Sequence, residues 1–117
     1  MFRSPLDVPI IHILYQLYSS FHALVIKFPK SERYSLGSSI QSQILSLFES
    51  VIGAASVNNT TLKAAKLSDA SIKLDLLRLL IRLAKDCKCL SNEAYLKLES
   101  DLHQSGKMLG GWLKSIK

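Results

Sequence analysis

With 117 residues, 48% of them hydrophobic, and a formal net charge of +6, the chain is long enough for one packed domain and too apolar to be intrinsically disordered. A domain of this size needs neither disulfides nor a metal for stability. Its only cysteines, Cys87 and Cys89, are two apart on a helical pattern, a poor geometry for a mutual disulfide, so they read as reduced thiols of a cytoplasmic protein. The positive balance favours polyanions or acidic protein surfaces as partners.

The first apolar series, Ile10, Ile13, Leu14, Leu17, Phe21, Leu24, Val25 and Phe28, is spaced by threes and fours and predicts a helix over about 7–27. Pro9 fits its first turn, where the N–H has no intrahelical partner, and Pro29 stops it. Asp7, His12, Gln16 and His22 interrupt the apolar run, which argues against a secretory signal or a membrane span. After the polar connection Lys30-Ser31-Glu32-Arg33, with Ser31 as the expected N-cap, Leu36, Ile40, Ile44, Leu47, Phe48, Val51 and Ala55 predict a second helix over 34–56.

Ser56 to Thr61 supply breaking and capping residues. A third helix is expected over 60–88, with Leu62, Ile72, Leu76, Leu80, Leu83 and Cys87 as its core stripe, and the last turn falls at Cys89-Leu90-Ser91. The fourth, over 91–116, presents Tyr95, Leu98, Leu102, Leu109, Trp112, Leu113 and Ile116. Gly106, Gly110 and Gly111 each cost it up to ~1 kcal/mol relative to Ala, so it either frays there or admits a close neighbour.

Four amphipathic segments with short connections and no strand-like alternation describe a single all-α domain over 1–117, an antiparallel up-down-up-down four-helix bundle. A three-helix domain with an arm fits less well, because every segment has its own core stripe. The third helix is apolar nearly all round. Leu67, Leu74, Leu79 and Ile81 lie outside its expected core stripe and are assigned to a subunit interface in a homo-oligomer. The plainer alternative places them under Lys and Arg stems.

No catalytic or metal-binding pattern is present: His12, His22 and His103 are isolated, Cys-Lys-Cys has the wrong spacing to offer one zinc both sulfurs, and Gly110-Gly111 follows a helical pattern rather than a strand. An enzyme, a metal site and a cofactor are therefore not expected. The basic residues carry more information. Arg78, Arg82 and Lys85, at i, i+4 and i+7, share one helical stripe in which Asp75 can hold Arg78; Lys107, Lys114 and Lys117 form a second group, and Lys27, Lys30 and Arg33 a third at the first interhelical turn. A single lysine is most simply a solubilising charge. Forked arginines in the most apolar helix suit carboxylates or phosphates, so all three groups are candidates for contacting a partner or nucleic acid.

Three segments in this order carry a family resemblance: Lys27-Phe28-Pro29-Lys30-Ser31-Glu32-Arg33-Tyr34-Ser35-Leu36-Gly37, Leu77-Arg78-Leu79-Leu80-Ile81-Arg82-Leu83-Ala84-Lys85, and Gly106-Lys107-Met108-Leu109-Gly110-Gly111-Trp112-Leu113-Lys114. Together they resemble Avd, the accessory variability determinant family of diversity-generating retroelements. The resemblance implies a four-helix bundle assembled as a homopentamer, without activity or cofactor of its own. Such a protein binds RNA and DNA through basic surface and partners the retroelement reverse transcriptase in mutagenic copying of a template RNA and in retrohoming. A wider group, the four-helix-bundle proteins encoded in intervening sequences of large-subunit ribosomal RNA genes, shares the Phe-Pro and Glu-Arg-Tyr turn. It supplies the alternative of a stand-alone RNA-binding or ribosome-associated protein. Val51-Ile52-Gly53-Ala54-Ala55 stands where that group has Asn-Ile-Ala-Glu-Gly, which favours the Avd branch.

Overall fold

The structure, a computed structural model, describes residues 4–116. A single 3-10 turn, Pro5–Asp7, is capped by Ser4, whose Oγ accepts from the Leu6 N–H at 3.2 Å. Four helices follow. Helix α1 is Pro9–Val25, with Pro9 in the first turn as expected. Helix α2 is continuous through α-helical Lys30–Glu32, π-helical Arg33–Gly37 and α-helical Ser38–Ser56. Helix α3 is Thr60–Asp86 and helix α4 is Asn92–Ser115.

Asn59 caps α3 by accepting from the Leu62 N–H at 2.9 Å, and Ser91 caps α4 by accepting from Ala94 at 3.1 Å. The segment 30–33, expected as a connection, is instead helical. The Pro29 carbonyl accepts from both Glu32 and Arg33 at 2.9 Å, so the chain turns straight into α2 behind the proline and Ser31 is not the cap. Its polar side chains mark the outer surface of a helix rather than a loop. Likewise α4 runs unbroken through Gly106, Gly110 and Gly111.

Each helix packs on its neighbours in the chain and α4 closes on α1, giving a bundle 44 × 21 × 21 Å. Alternation of direction is visible in the cross-contacts: the start of α1 meets the end of α4 around Val8, Ile10, Met108 and Trp112, and Arg78 of α3 lies beside Gly106 of α4. The core is a continuous column of fully buried side chains, among them Leu14, Leu17 and Phe21 of α1, Ile40, Ile44 and Leu47 of α2, and Leu98 and Leu102 of α4.

On α3 the expected faces are exchanged. The buried series is Leu67, Ala70, Leu74, Leu77, Ile81 and Ala84, so Leu67, Leu74 and Ile81 are core residues and not surface available to another subunit. The outward residues are Leu62, Ile72, Leu76, Leu79 and Leu83, four of which were expected inside, and Cys87 is also exposed. Both series have helical spacing. Ala70 and Ala84 complete the inner one with a 3-4-3-4-3 repeat, and small residues there let α3 approach its neighbours.

The α3–α4 turn is a Schellman motif. Cys89 N–H reaches the Ala84 carbonyl at 2.8 Å, Lys88 N–H reaches Lys85 at 2.9 Å, and Lys88 takes the left-handed position at φ 65°. A side chain in that conformation is disfavoured relative to glycine, so Lys88→Gly should stabilise the fold by about 1 kcal/mol. A urea midpoint equal to or below the wild type would contradict this.

Candidate functional site

The cations divide into those used within the fold and those without an ion pair among the described residues. Along the α2–α3 seam, Lys73 Nζ donates to Ser50 Oγ at 2.7 Å and pairs with Asp69 at 3.2 Å, while Ser50 Oγ donates to Asp69 at 2.9 Å. At the end of that seam Lys63 Nζ donates to the Ala54 carbonyl at 2.6 Å and sits over the Trp112 ring at 5.6 Å. Lys66 lays its stem across Gly53, where a Cβ would come within 3.2 Å of it. These three lysines stitch α2, α3 and α4 together.

The hydrogen bond from Ser50, then that from Lys73, holds the Asp69 carboxyl below its ordinary range. Ionised Asp69 is thus favoured in the folded state. Its contribution is complete above the unfolded-state carboxylate value, about 3.9, and is lost as pH falls through the lower folded value. Asp69→Asn should therefore reduce stability at neutral pH, and the gap from wild type should close below about pH 4. A gap of constant size across an acid titration of unfolding would refute the assignment.

Arg78 and Lys107, placed in separate groups by the sequence, line one open groove between α3 and α4. Ser71, Leu74, Asp75, His103 and Gly106 line it with them, and its volume is about 310 Å³. Arg78 Nε is buried without a hydrogen-bond partner. Asp75 lines the groove but forms no ion pair with Arg78; the ion pair among the described residues is Lys73 with Asp69. Gly106 lies beside the guanidinium, where a Cβ would stand in ordinary van der Waals contact, 3.9 Å from Arg78 Nη2.

Arg82 is exposed one turn further along α3. Lys85 lies 4.7 Å over the Tyr95 ring, whose hydroxyl donates to Glu99 at 3.0 Å, so part of its charge is already engaged. Lys114 is exposed near the end of α4, and Lys117 lies outside the described residues. Lys27 and Lys30 are exposed at the α1–α2 turn, on the opposite side of the helix ring from the groove. Arg33 has a structural use: its Nη2 donates to the Ile26 carbonyl at 2.6 Å, closing the C-terminal end of α1.

Of the four leucines and isoleucines assigned to a subunit contact, only Leu79 is on the surface, 52% exposed. It belongs to an outward apolar row with Ile72 at 69%, Leu76 at 45% and Leu83 at 42%. A second apolar surface lies between α1 and α2, a groove lined by Tyr15, Tyr18, His22, Leu45 and Phe48. The sequence reading missed the second groove, although Tyr15 and Leu45 fall off the core stripes of their own helices.

Burial pushes the Cys89 thiol up, with the Glu32 and Cys87 charges adding to it, which leaves it far from a reactive thiolate. Burial also raises the Asp101 carboxyl, partly offset by Lys97. Among the described residues no group of three or more His, Cys, Asp or Glu side chains is arranged to hold a metal ion, and no helix is long and apolar enough to cross a membrane.

No curated protein and no solved structure matches the chain. The model of the family described as bAvd-like matches residues 10–116, from the first turn of α1 to the end of α4. With its all-helical bundle and the Lys27–Gly37, Leu77–Lys85 and Gly106–Lys114 segments, the chain belongs to the bAvd-like family.

Proposed function

We propose that the protein is the non-catalytic accessory subunit of a diversity-generating retroelement, acting in the cytoplasm. It binds the reverse transcriptase and nucleic acid, template RNA and cDNA, and supports mutagenic reverse transcription and retrohoming. The observation that carries this reading is the family match across the whole bundle. Surface chemistry supports it: Arg78, Arg82, Lys107 and Lys114 are free of ion pairs along one side of α3 and α4.

The protein works as a homo-oligomer, a pentameric ring in keeping with the Avd resemblance. Its two apolar surfaces lie on different sides of the bundle, so the α3 row of one copy meets the α1–α2 groove of the next in a head-to-tail contact.

Co-purification with a retroelement reverse transcriptase from the same genome tests the reading. The tagged protein should retain the enzyme, and Arg78→Ala with Arg82→Ala should lose it while oligomer size is unchanged. A retroelement that diversifies its target at the wild-type rate after deletion of this gene would overturn the proposal.

A further inference from the structure

We infer that the α3–α4 groove at Gly106 is a phosphate-binding subsite for the backbone of a single nucleic-acid strand. The inference deepens the nucleic-acid part of the proposed function and rests on it.

Three observations meet in this groove. Arg78 lines it from α3 and forms no ion pair among the described residues, so its guanidinium charge is unused by the protein. From α4, His103 and Lys107 border the same groove, so donors from two helices surround one space. Between them the floor is Gly106, where an added Cβ would stand 3.5 Å from Leu74 Cδ2 and 3.9 Å from Arg78 Nη2. The absent side chain lets an incoming group approach the guanidinium and the helix surface together.

The same face extends beyond the groove. His103, Lys107, Gly110 and Lys114 follow at i, i+4, i+7 and i+11, one stripe of α4, and a Cβ on Gly110 would meet nothing within 4 Å. From His103 to Lys114 the stripe covers about 16 Å of helix axis. A single acidic side chain would occupy the Arg78 end alone, whereas a polyanionic strand engages the whole row. Asp75 is the one carboxylate lining the groove and forms no ion pair with Arg78. Small residues and open backbone between cations suit a ribose-phosphate chain better than an apolar protein surface.

The test is fluorescence anisotropy of labelled single-stranded RNA and DNA across a salt series. Gly106→Glu plants a carboxylate beside Arg78 and, because glutamate is a better helix former than glycine, leaves the bundle folded. Lys97→Gln, exposed on another face of α4, removes the same unit of charge as a control. Gly106→Glu and Arg78→Gln should each weaken binding at least fivefold and lower the slope of log affinity against log salt by about 0.7 per phosphate lost, with Lys97→Gln near the wild type.

Equal losses in all three variants, or none, would overturn the subsite and leave nucleic-acid binding standing. A wild type that binds neither strand would remove both the subsite and the nucleic-acid reading. If Gly106→Glu releases the reverse transcriptase while strand binding is unchanged, the groove holds an acidic protein segment and the phosphate assignment is wrong.

Discussion

Leu79→Glu combined with Leu83→Glu should convert the proposed homo-oligomer into a folded monomer. Both side chains point into solvent from α3, and burying each leucine against a neighbour contributes roughly 1.5–3 kcal/mol, which the substitution removes and replaces with a carboxylate that must be desolvated. The loss is several kcal/mol per contact, two or more powers of ten in the association constant. Within the subunit little changes, because glutamate and leucine have similar helix propensities and neither position enters the core. Sedimentation should give monomer mass with an unchanged far-ultraviolet circular dichroism spectrum; retained assembly would exclude this row as the interface.

The proposed head-to-tail contact makes a sharper forecast. Tyr15→Glu with Leu45→Glu damages only the receiving groove. Mixed with the α3 variant, it leaves one intact junction between unlike chains, so the mixture should form heterodimers and nothing larger. A self-complementary interface would yield no such pair.

Phe21→Ala should be the most destabilising single change in the core. Its ring is fully buried and meets Phe28 edge-to-face at 5.5 Å and 86°. Truncation costs about 3–5 kcal/mol for the lost burial and the remaining cavity, a large part of the 5–15 kcal/mol that holds a domain of this class together. In the monomeric Leu79/Leu83 background, where assembly does not add to the apparent stability, the thermal midpoint should fall by about 10–20 °C. A drop of only two or three degrees would mean that the site collapses around the void.

The helices were largely legible in the sequence because apolar spacing, prolines and capping residues act locally. Asn59 and Ser91 cap the two later helices, and Pro9 stands in the first turn of α1. The orientation of α3 was not. Leucines fall on nearly every side of it, and the core phase is fixed by Ala70 and Ala84, whose small size matters only against the facing helices. The groove was hidden for a related reason: Arg78 and Lys107 become neighbours only through antiparallel packing of α3 on α4, and the sequence left open whether Gly106 frays its helix or admits a neighbour. Conversely Lys63, Lys66 and Lys73, which no sequence pattern singled out, are structural stitches.

The π-helical stretch in α2 has its own consequence. Each of its turns holds more residues than an α turn, so the chain upstream of Ser38 is out of phase with the chain downstream, and the stretch works as a register adapter. It is what lets Gly37 press against Val25, where a Cβ would fall 2.6 Å from Cγ2, while Tyr34 faces outward and Arg33 still grips Ile26. Residue number in this corner is therefore a constraint separate from residue type. Removing one residue from 33–37 would leave the composition almost untouched yet swing the entry of α2 by roughly 100° about its axis, unlatching α1 from its clasp.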